Sequence, residues 1–212
     1  MINEDTPYET GRLADADLRA LEASFARLVD DLYAQPGLRS RRYSRYRLAT
    51  DGTLAHLSHE DFMQSAAINR AVGDVERRFE EIEDSTSADP AFVAMFEAFR
   101  SHTGFAPESV VGAHQIRWNC GHRVMIPAPE GTHQDGFDSI AMFMVDTANL
   151  TGGEVLLYPS LDAAPIVKAS LKPGEYVVVD DKRLFHDAAP LVPEPNDRPG
   201  HWDLIVLTAN MA

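Results

Sequence analysis

The C-terminal half of the chain consists of short runs of β-forming residues, and this pattern limits the fold more than any other feature. From about residue 108 onward, Pro, Gly and Asp separate six such runs: VVGAHQIRWN, DSIAMFMVD, GEVLLYPS, APIVKASL, EYVVVDD and HWDLIVLTA. Several short strands at close spacing, with no long helix between them, indicate antiparallel β structure. The sequence therefore predicts a sandwich or barrel over residues 108–212.

The N-terminal part, residues 1–107, has mainly the apolar spacing of helices. Apolar residues recur every three or four positions in DADLRALEASFARLVDDLYA, which a Pro-Gly pair follows. Two more helices are predicted, in AAINRAVGDVERRFEEIED and in DPAFVAMFEAFRSH, where Pro90 suits the first turn. RRYSRYRLAT predicts a strand near residues 41–50 that ends in a turn at Asp51-Gly52. We expect one domain over residues 1–212, α+β or mainly β in class, with the N-terminal helices supporting the barrel.

The composition argues against several kinds of partner. The chain has 19 Lys+Arg and 33 Asp+Glu, a net charge of -14, which repels phosphate backbones and anionic membrane surfaces. Cys120 is the only cysteine, so an internal disulfide and a thiolate zinc site are excluded. The sequence shows no apolar leader and no apolar run near the roughly 18 residues of a membrane span. We expect a cytoplasmic protein without nucleic-acid or membrane partners, and a homodimer stays open.

Three residues have a spacing that suits a metal site. His133 and Asp135 are one residue apart, and in an extended strand such side chains point to the same face. His186 follows the apolar run EYVVVDDKRLF. Two imidazoles and one carboxylate hold iron(II) from one side of an octahedron and leave three positions open for reactants. Spacing alone does not separate this hypothesis from a surface turn, because H-x-D is a common tripeptide and other histidines are present.

The segments around these residues resemble a known family. PAPEGTHQDGFD, NLTGGEVLLYP, GEYVVVDDKRLFHDAAPLVP and DLIVLTA, in this order, are similar to bacterial iron(II)/2-oxoglutarate-dependent dioxygenases, which include amino-acid hydroxylases of the L-isoleucine hydroxylase type. The resemblance spans roughly residues 40–210. It implies a double-stranded β-helix, a jelly-roll or cupin-like barrel with helices outside. It also implies His133, Asp135 and His186 as iron ligands, with no catalytic residue beyond them.

The same resemblance implies a reaction and its components. Fe(II) and the cosubstrate 2-oxoglutarate would be needed, dioxygen would be consumed, and a small molecule would be hydroxylated. A free or N-substituted amino acid is the substrate class that the resemblance favours. Asp180 and Asp181 precede His186, and the sequence leaves open whether they orient its imidazole or form a solvated turn.

The chain departs from the family where an arginine usually holds the distal carboxylate of 2-oxoglutarate. That arginine begins the last barrel strand, and this chain has Trp202 there, in GHWDLIVLTA. Arg117, in the strand-like AHQIRWN, is the leading substitute, for either the cosubstrate or a substrate carboxylate. Arg198, in the preceding loop, is the second candidate.

Two alternative functions remain open from the sequence. A cupin-like metal enzyme with the same three ligands, but without 2-oxoglutarate, would account for Trp202. A non-catalytic barrel that binds a small ligand would need no metal. Binding of iron and of 2-oxoglutarate distinguishes the three hypotheses.

Overall fold

The computed structural model describes residues 1–3, 5–14, 16–66, 68, 73–195 and 198–210. In these residues strands outnumber helices. The strands are β1 (Tyr8–Arg12), β2 (Arg39–Leu48), β3 (Leu54–His56), β4 (Val111–Gly121), β5 (Ser139–Ala148), β6 (Leu150–Gly152), β7 (Val155–Tyr158), β8 (Val167–Ala169), β9 (Glu175–Asp180), β10 (Phe185–Ala188), β11 (Leu191–Pro193) and β12 (Gly200–Ala209). The helices are α1 (Arg19–Phe25), α2 (Asp84–Ser87) and α3 (Pro90–Thr103). The prediction of a mainly β chain is confirmed.

Seven strands form one antiparallel sheet, in the order β1-β9-β5-β12-β4-β2-β3. The sheet combines strands from both halves of the chain, since β1, β2 and β3 extend it at its two edges. Strand β2 and the turn at Asp51-Gly52 were predicted, and β2 pairs with β3 through Leu48 and Leu54. The N-terminal part thus completes the sheet as well as covering it.

The central strand β12 is buried on both faces. Leu204 and Val206 line a cavity on one side, whereas Ile205 and Leu207 belong to a core cluster on the other. Residues i and i+2 of a strand share a face, so a strand covered on both sides reads as a continuous apolar run. This burial accounts for the sequence DLIVLTA.

Two smaller antiparallel sheets, β10-β7-β8 and β11-β6, lie against one face of the large sheet. Ile140 and Val177 of the large sheet share a core cluster with Val155 and Leu157 of β7. Gly152 and Gly153 connect these sheets between β6 and β7. Gly152 has φ +87°, and a Cβ there would lie 1.9 Å from the Pro190 carbonyl oxygen, so only glycine fits.

The opposite face of the large sheet is covered by α1 and α3. Phe25 of α1 and Phe92, Phe96 and Phe99 of α3 are fully buried against it. Helix α3 matches its prediction: Pro90 is in the first turn, and the Asp89 side chain accepts a hydrogen bond from the backbone N of Ala91 at 2.8 Å. Within the described residues, no helix is long and apolar enough to span a membrane.

The prediction that residues 1–107 are largely helical is wrong. Helix α1 ends at Phe25, whereas the apolar spacing predicted a helix as far as Pro36. The chain beyond it turns back to pair with β2, through Asp31 N to Arg39 O and Arg41 N to Val29 O, each 2.9 Å. Pairing with the sheet edge replaces the helix here, because tertiary contacts override local propensity.

The second predicted helix, over residues 66–84, is also absent from its described part. Residues 73–83 form neither helix nor strand, and residues 67 and 69–72 lie outside the described part. Glu80 O accepts a hydrogen bond from Tyr43 N at 2.9 Å, and Ile82 N donates to Ser44 Oγ at 2.9 Å. These bonds fix the segment along β2 in an extended form. The short helix α2 begins directly after this segment, at Asp84.

Candidate active site

His133, Asp135 and His186 come together in the cavity between the sheets. The backbones of His133 and His186 exchange two hydrogen bonds, of 3.0 and 2.8 Å, and their ring centroids lie 4.3 Å apart. Carboxylate oxygens of Asp135 lie 3.7 Å from His133 Nε2 and 3.6 Å from His186 Nε2. One ligand atom from each residue lies within 4.8 Å of the other two. The structure therefore brings together the three residues that the sequence selected.

The imidazole nitrogens of this group are available to a ligand. His133 Nδ1 lies 2.8 Å from the Gly131 carbonyl oxygen, which holds the proton on Nδ1 and leaves a lone pair on Nε2. His186 Nε2 is buried and has no hydrogen-bond partner in the part of the chain that the structure describes. Burial acts to lower the pKa of His186, but Asp181 and Asp135 outweigh it and raise that pKa. This donor set and its negative charge suit a cation such as Fe(II).

Asp181 holds the segment that carries Asp135. Its carboxylate is fully buried and accepts hydrogen bonds from the backbone N atoms of Asp135, Gly136 and Phe137, at 3.1, 2.8 and 3.1 Å. It also lies 3.5 Å from His186 Nε2. Asp180 instead accepts from Lys182 N in the following turn, at 3.1 Å. Of the two adjacent aspartates, only Asp181 supports the group.

The cavity has a volume of about 190 Å³. Its walls are the inward faces of β2, β4, β5 and β12, with one edge formed by His186 and Ala188 of β10. Much of the lining is apolar, including Ile116, Met142 and Leu204. Against this apolar wall stand three cationic side chains, those of Arg39, Arg41 and Arg77.

A polar chain connects one of these arginines to the His-Asp-His group. Arg77 Nη2 donates to Gln64 Oε1 at 2.7 Å, and Gln64 Nε2 donates to Asp135, to Oδ1 at 3.1 Å and to the backbone O at 3.0 Å. Arg77 and Gln64 are both buried. Because Gln64 bonds to the backbone and the side chain of Asp135, it limits the orientations of that carboxylate.

Arg117, the leading candidate for carboxylate binding, does not line this cavity. Within β4, His114, Ile116 and Trp118 face the cavity, so Arg117 faces the helices. Arg117 Nε and Nη2 donate to the two carboxylate oxygens of Asp203 at 2.7 and 2.6 Å, which raises the pKa of Arg117. Arg117 was predicted to bind a ligand carboxylate in the cavity, but its guanidinium is paired with Asp203 on the other face of the sheet.

Arg198 lies in the loop that precedes β12, and Trp202 lies near the start of that strand. Arg198 is exposed and is not part of the cavity lining. Trp202 is buried, lines the cavity and packs on Trp118, with ring centroids 5.1 Å apart. An indole therefore occupies the wall where the family resemblance led us to expect a guanidinium.

A second group of possible metal ligands consists of Asp146, His201 and Asp203. His201 Nε2 already forms a hydrogen bond with Asp146 Oδ2 at 2.7 Å, and Asp203 is occupied by Arg117. The ligand atoms of this group are thus paired with protein partners. Its residues also lie outside the lining of the cavity.

Arg41, Gln64 and Arg77 were not among the predicted site residues. A signal for Arg41 was present, because alternate positions in RSRRYSRY share one face of β2 and place Arg41 on the face of Arg39 and Tyr43. Gln64 and Arg77 lie outside helices and strands. There, no periodicity predicts which way a side chain points.

Comparison with known proteins is consistent with this geometry. The profile of the 2OG-Fe dioxygenase family matches residues 22–208. A bsmA homolog from Methylobium petroleophilum is 26% identical, with a TM-score of 0.75 and coverage of 92% of this chain and 82% of its own. IDO from Bacillus thuringiensis is 21% identical, with a TM-score of 0.78 and coverage of 99% and 96%.

A third solved structure, the Fe(II)/(alpha)ketoglutarate-dependent dioxygenase TqaL, is 14% identical. Its TM-score is 0.72, and the match covers 98% of this chain and 83% of TqaL. At these identities, the likeness to IDO and TqaL concerns the fold. No curated protein sequence matches the chain.

Proposed function

The chain belongs to the 2OG-Fe dioxygenase family, and from that premise we propose that His133, Asp135 and His186 bind the iron. A member of this family is an Fe(II)/2-oxoglutarate-dependent dioxygenase, so the protein uses Fe(II), 2-oxoglutarate and dioxygen. The observation that carries the proposal is the buried His186 Nε2, which has no partner in the described residues and faces the Asp135 carboxylate. A buried imidazole nitrogen without a hydrogen-bond partner destabilises the folded protein unless it coordinates a ligand.

The other residues around the site have supporting roles in this proposal. Asp181 and Gln64 fix the position of Asp135, and the Gly131 carbonyl sets the tautomer of His133. The bound iron and cosubstrate supply the oxidising chemistry: one oxygen atom of O₂ enters the substrate C–H bond, and the other converts 2-oxoglutarate to succinate and CO₂.

We further propose that the substrate is a free or N-substituted amino acid, as the resemblance to the L-isoleucine hydroxylase type suggests. A small cavity with apolar walls and several arginines suits a molecule with an aliphatic side chain and a carboxylate. On sequence grounds we also propose a double-stranded β-helix, a single domain over residues 1–212 and a cytoplasmic location. Family membership favours 2-oxoglutarate use over the cupin-like alternative and over a non-catalytic barrel.

The iron site is tested by anaerobic titration. Protein loaded with Fe(II) is titrated with 2-oxoglutarate while the weak visible charge-transfer band of the chelate is recorded. We expect His186→Ala to abolish stoichiometric iron binding and the band, whereas the exposed His122 changed to Ala leaves both intact. Iron binding by His186→Ala at the wild-type affinity would contradict the assignment.

The substrate class is tested by succinate release. Free amino acids, N-acyl amino acids and the corresponding amines without a carboxylate are compared under identical conditions. We expect stimulation of 2-oxoglutarate consumption by members of the first two groups and none by the amines. Equal stimulation by the amines would exclude carboxylate recognition.

A further inference from the structure

Arg41 is a buried arginine of the cavity whose charge has no carboxylate beside it. It lies on β2, paired with Ile116 of β4, and is 7% exposed. No carboxylate of the described residues lies within ion-pair distance of its guanidinium, and its Nε has no hydrogen-bond partner there. A buried charge in this state is strongly destabilising unless a ligand compensates it.

The neighbours of Arg41 are neutral. Nη2 of Arg41 donates to Nδ1 of His114 at 2.6 Å, and burial, then Arg41 itself, lowers the pKa of His114 well below its ordinary value, so that the ring is uncharged. The guanidinium lies over the ring of Phe79, 4.3 Å from its centroid, and 5.4 Å from that of Phe62. These contacts hold the guanidinium plane and partly replace its hydration. They leave its net charge uncompensated.

The other buried or half-buried arginines in this sheet differ from Arg41. Arg39 Nε donates to the fully buried carboxylate of Asp31 at 2.7 Å, and Arg117 forms its two bonds to Asp203. Each of these charges is neutralised within the protein. Burial lowers the pKa of Arg41 to about 9, so it still carries a proton at neutral pH. Arg77, the third arginine of the cavity, is 3% exposed and also has no ion pair among the described residues, but its Nη2 donates to Gln64, which donates to Asp135. Of the three, Arg41 is thus the cation that the fold buries with neither a carboxylate nor a link to the His-Asp-His group, which leaves it for an anion.

We propose that Arg41 binds the carboxylate of a ligand in the barrel cavity, either the distal carboxylate of 2-oxoglutarate or the carboxylate of the small-molecule substrate. A guanidinium pairs with a carboxylate through two parallel hydrogen bonds, and Arg41 has Nε free for one of them. This inference rests on the proposed function for the identity of the ligands.

The position of Arg41 accounts for Trp202. Cross-strand pairing places Arg39, Trp118 and Trp202 in one row across β2, β4 and β12. Arg41, Ile116 and Leu204 form the next row. A cation on β2 faces the same cavity as a residue at position 202, from two strands away. In this chain the carboxylate would therefore be held from β2, while β12 contributes the apolar indole.

The test compares Arg41→Gln with Arg41→Lys and with a control, Arg47→Gln, an exposed arginine on the same strand. Each Fe(II)-loaded protein is titrated anaerobically with 2-oxoglutarate and with 2-oxopentanoate, which keeps the chelating end but lacks the distal carboxylate. If Arg41 binds the cosubstrate, Arg41→Gln weakens 2-oxoglutarate roughly 10- to 100-fold and leaves 2-oxopentanoate unchanged. Arg41→Lys retains part of the affinity, and Arg47→Gln retains all of it.

A second measurement tests whether Arg41 binds the carboxylate of the substrate instead of that of 2-oxoglutarate. If Arg41→Gln binds 2-oxoglutarate normally but loses the stimulation of succinate release by amino acids, the carboxylate belongs to the substrate. If both 2-oxoglutarate binding and amino-acid stimulation are unchanged in Arg41→Gln, the proposal is overturned.

A third arm separates this proposal from that of the iron site. Glutarate, a dicarboxylate without the keto group, and acetate are added to the metal-free proteins, and thermal unfolding is followed. We expect carboxylate-dependent stabilisation of the wild type and of Arg47→Gln, and its loss in Arg41→Gln. If the wild type shows no 2-oxoglutarate band, the iron assignment fails, yet this arm still decides whether Arg41 binds a carboxylate. Equal stabilisation of Arg41→Gln and the wild type would count against Arg41.

Discussion

Arg117 and Asp203 form a two-point ion pair on the helix-facing side of the large sheet, with N···O distances of 2.7 and 2.6 Å. Asp203 is fully buried, and its neighbours on β12, Trp202 and Leu204, both face the cavity on the other side of the sheet. The pair joins β4 to the central strand. An arginine that the sequence alone would assign to ligand binding is thus engaged in stabilising the sheet.

The first prediction concerns this pair. Asp203→Asn leaves the half-buried Arg117 charge without its partner, so we expect the free energy of unfolding to fall by about 3 kcal/mol. Arg117→Gln should leave the affinity for 2-oxoglutarate unchanged. Urea unfolding measures the first effect and the charge-transfer titration the second. A large loss of 2-oxoglutarate affinity in Arg117→Gln would restore Arg117 as a binding residue.

The second prediction concerns Asp181, which holds three backbone N–H groups of residues 135–137. Asp181→Ala removes no proposed ligand but releases the segment that carries Asp135. We expect iron affinity to fall roughly 10- to 100-fold, as for other residues that orient metal ligands. Asp180→Ala is the matched control and should bind iron as the wild type does. Metal titration with a competing chelator distinguishes the variants.

The third prediction concerns stability at acid pH. His114 is buried against Arg41, Tyr43 and Phe62, with Arg39 and Arg77 nearby, and its pKa lies well below 6.5. Above pH 6.5 the ring is neutral in both the folded and the unfolded chain. As the pH falls below 6.5, only the unfolded chain takes up the proton, so stability falls by about 1.4 kcal/mol per pH unit.

His114→Gln removes this group, and its free energy of unfolding should depend less steeply on pH below 6.5 than that of the wild type. The exposed His122 changed to Gln should leave the slope unaltered. Chemical unfolding at a series of acid pH values measures the difference. Identical slopes in the wild type and His114→Gln would mean that His114 is protonated in the folded protein.

The fourth prediction concerns the single cysteine. Burial raises the pKa of Cys120 to about 11. The reactive thiolate should therefore be roughly 100-fold scarcer than for an ordinary thiol, because each pKa unit is a factor of ten. We expect slow reaction with a thiol reagent such as dithiobis(nitrobenzoate) in the native protein and rapid reaction in urea. Rapid modification of one thiol per native chain would contradict the burial.

Sequence patterns predicted those parts of the fold in which each element is buried on a definite face. The run in β12 and the capped helix α3 are examples, since their apolar spacing reports packing directly. Residues 26–35 and 73–83 were predicted wrongly because their backbones pair with β2 or follow its edge. That pairing depends on contacts between distant parts of the chain, which local spacing does not record.

The candidate site was predictable to a similar degree. The His-Asp-His group was predicted from the order of the surrounding motifs and from an assumed strand. The strand itself is not found, because His133 and Asp135 lie in the irregular segment between β4 and β5, where His133 forms only an isolated bridge with His186. The face of Arg117 did not follow, because both faces of β4 are buried and alternation alone does not say which one faces the cavity. Arg41 was missed because a cluster of arginines such as that in RSRRYSRY usually indicates a solvent-exposed edge strand. Only the tertiary structure shows that one of them is buried without a carboxylate.

The position of β12 at the centre of the large sheet also has a consequence for the folding rate. Its hydrogen bonds to β4 join residues such as Leu204 and Ile116, and β1 is held by β9, as in the pairing of Tyr8 with Val179. The sheet is thus assembled from contacts between residues far apart in the chain, which gives the protein a high contact order. Chains of this kind fold over milliseconds to seconds. During synthesis β4 and β5 cannot pair with β12 until residues 200–209 have left the ribosome. Their apolar faces are exposed in this interval, and the chain is then most prone to aggregate.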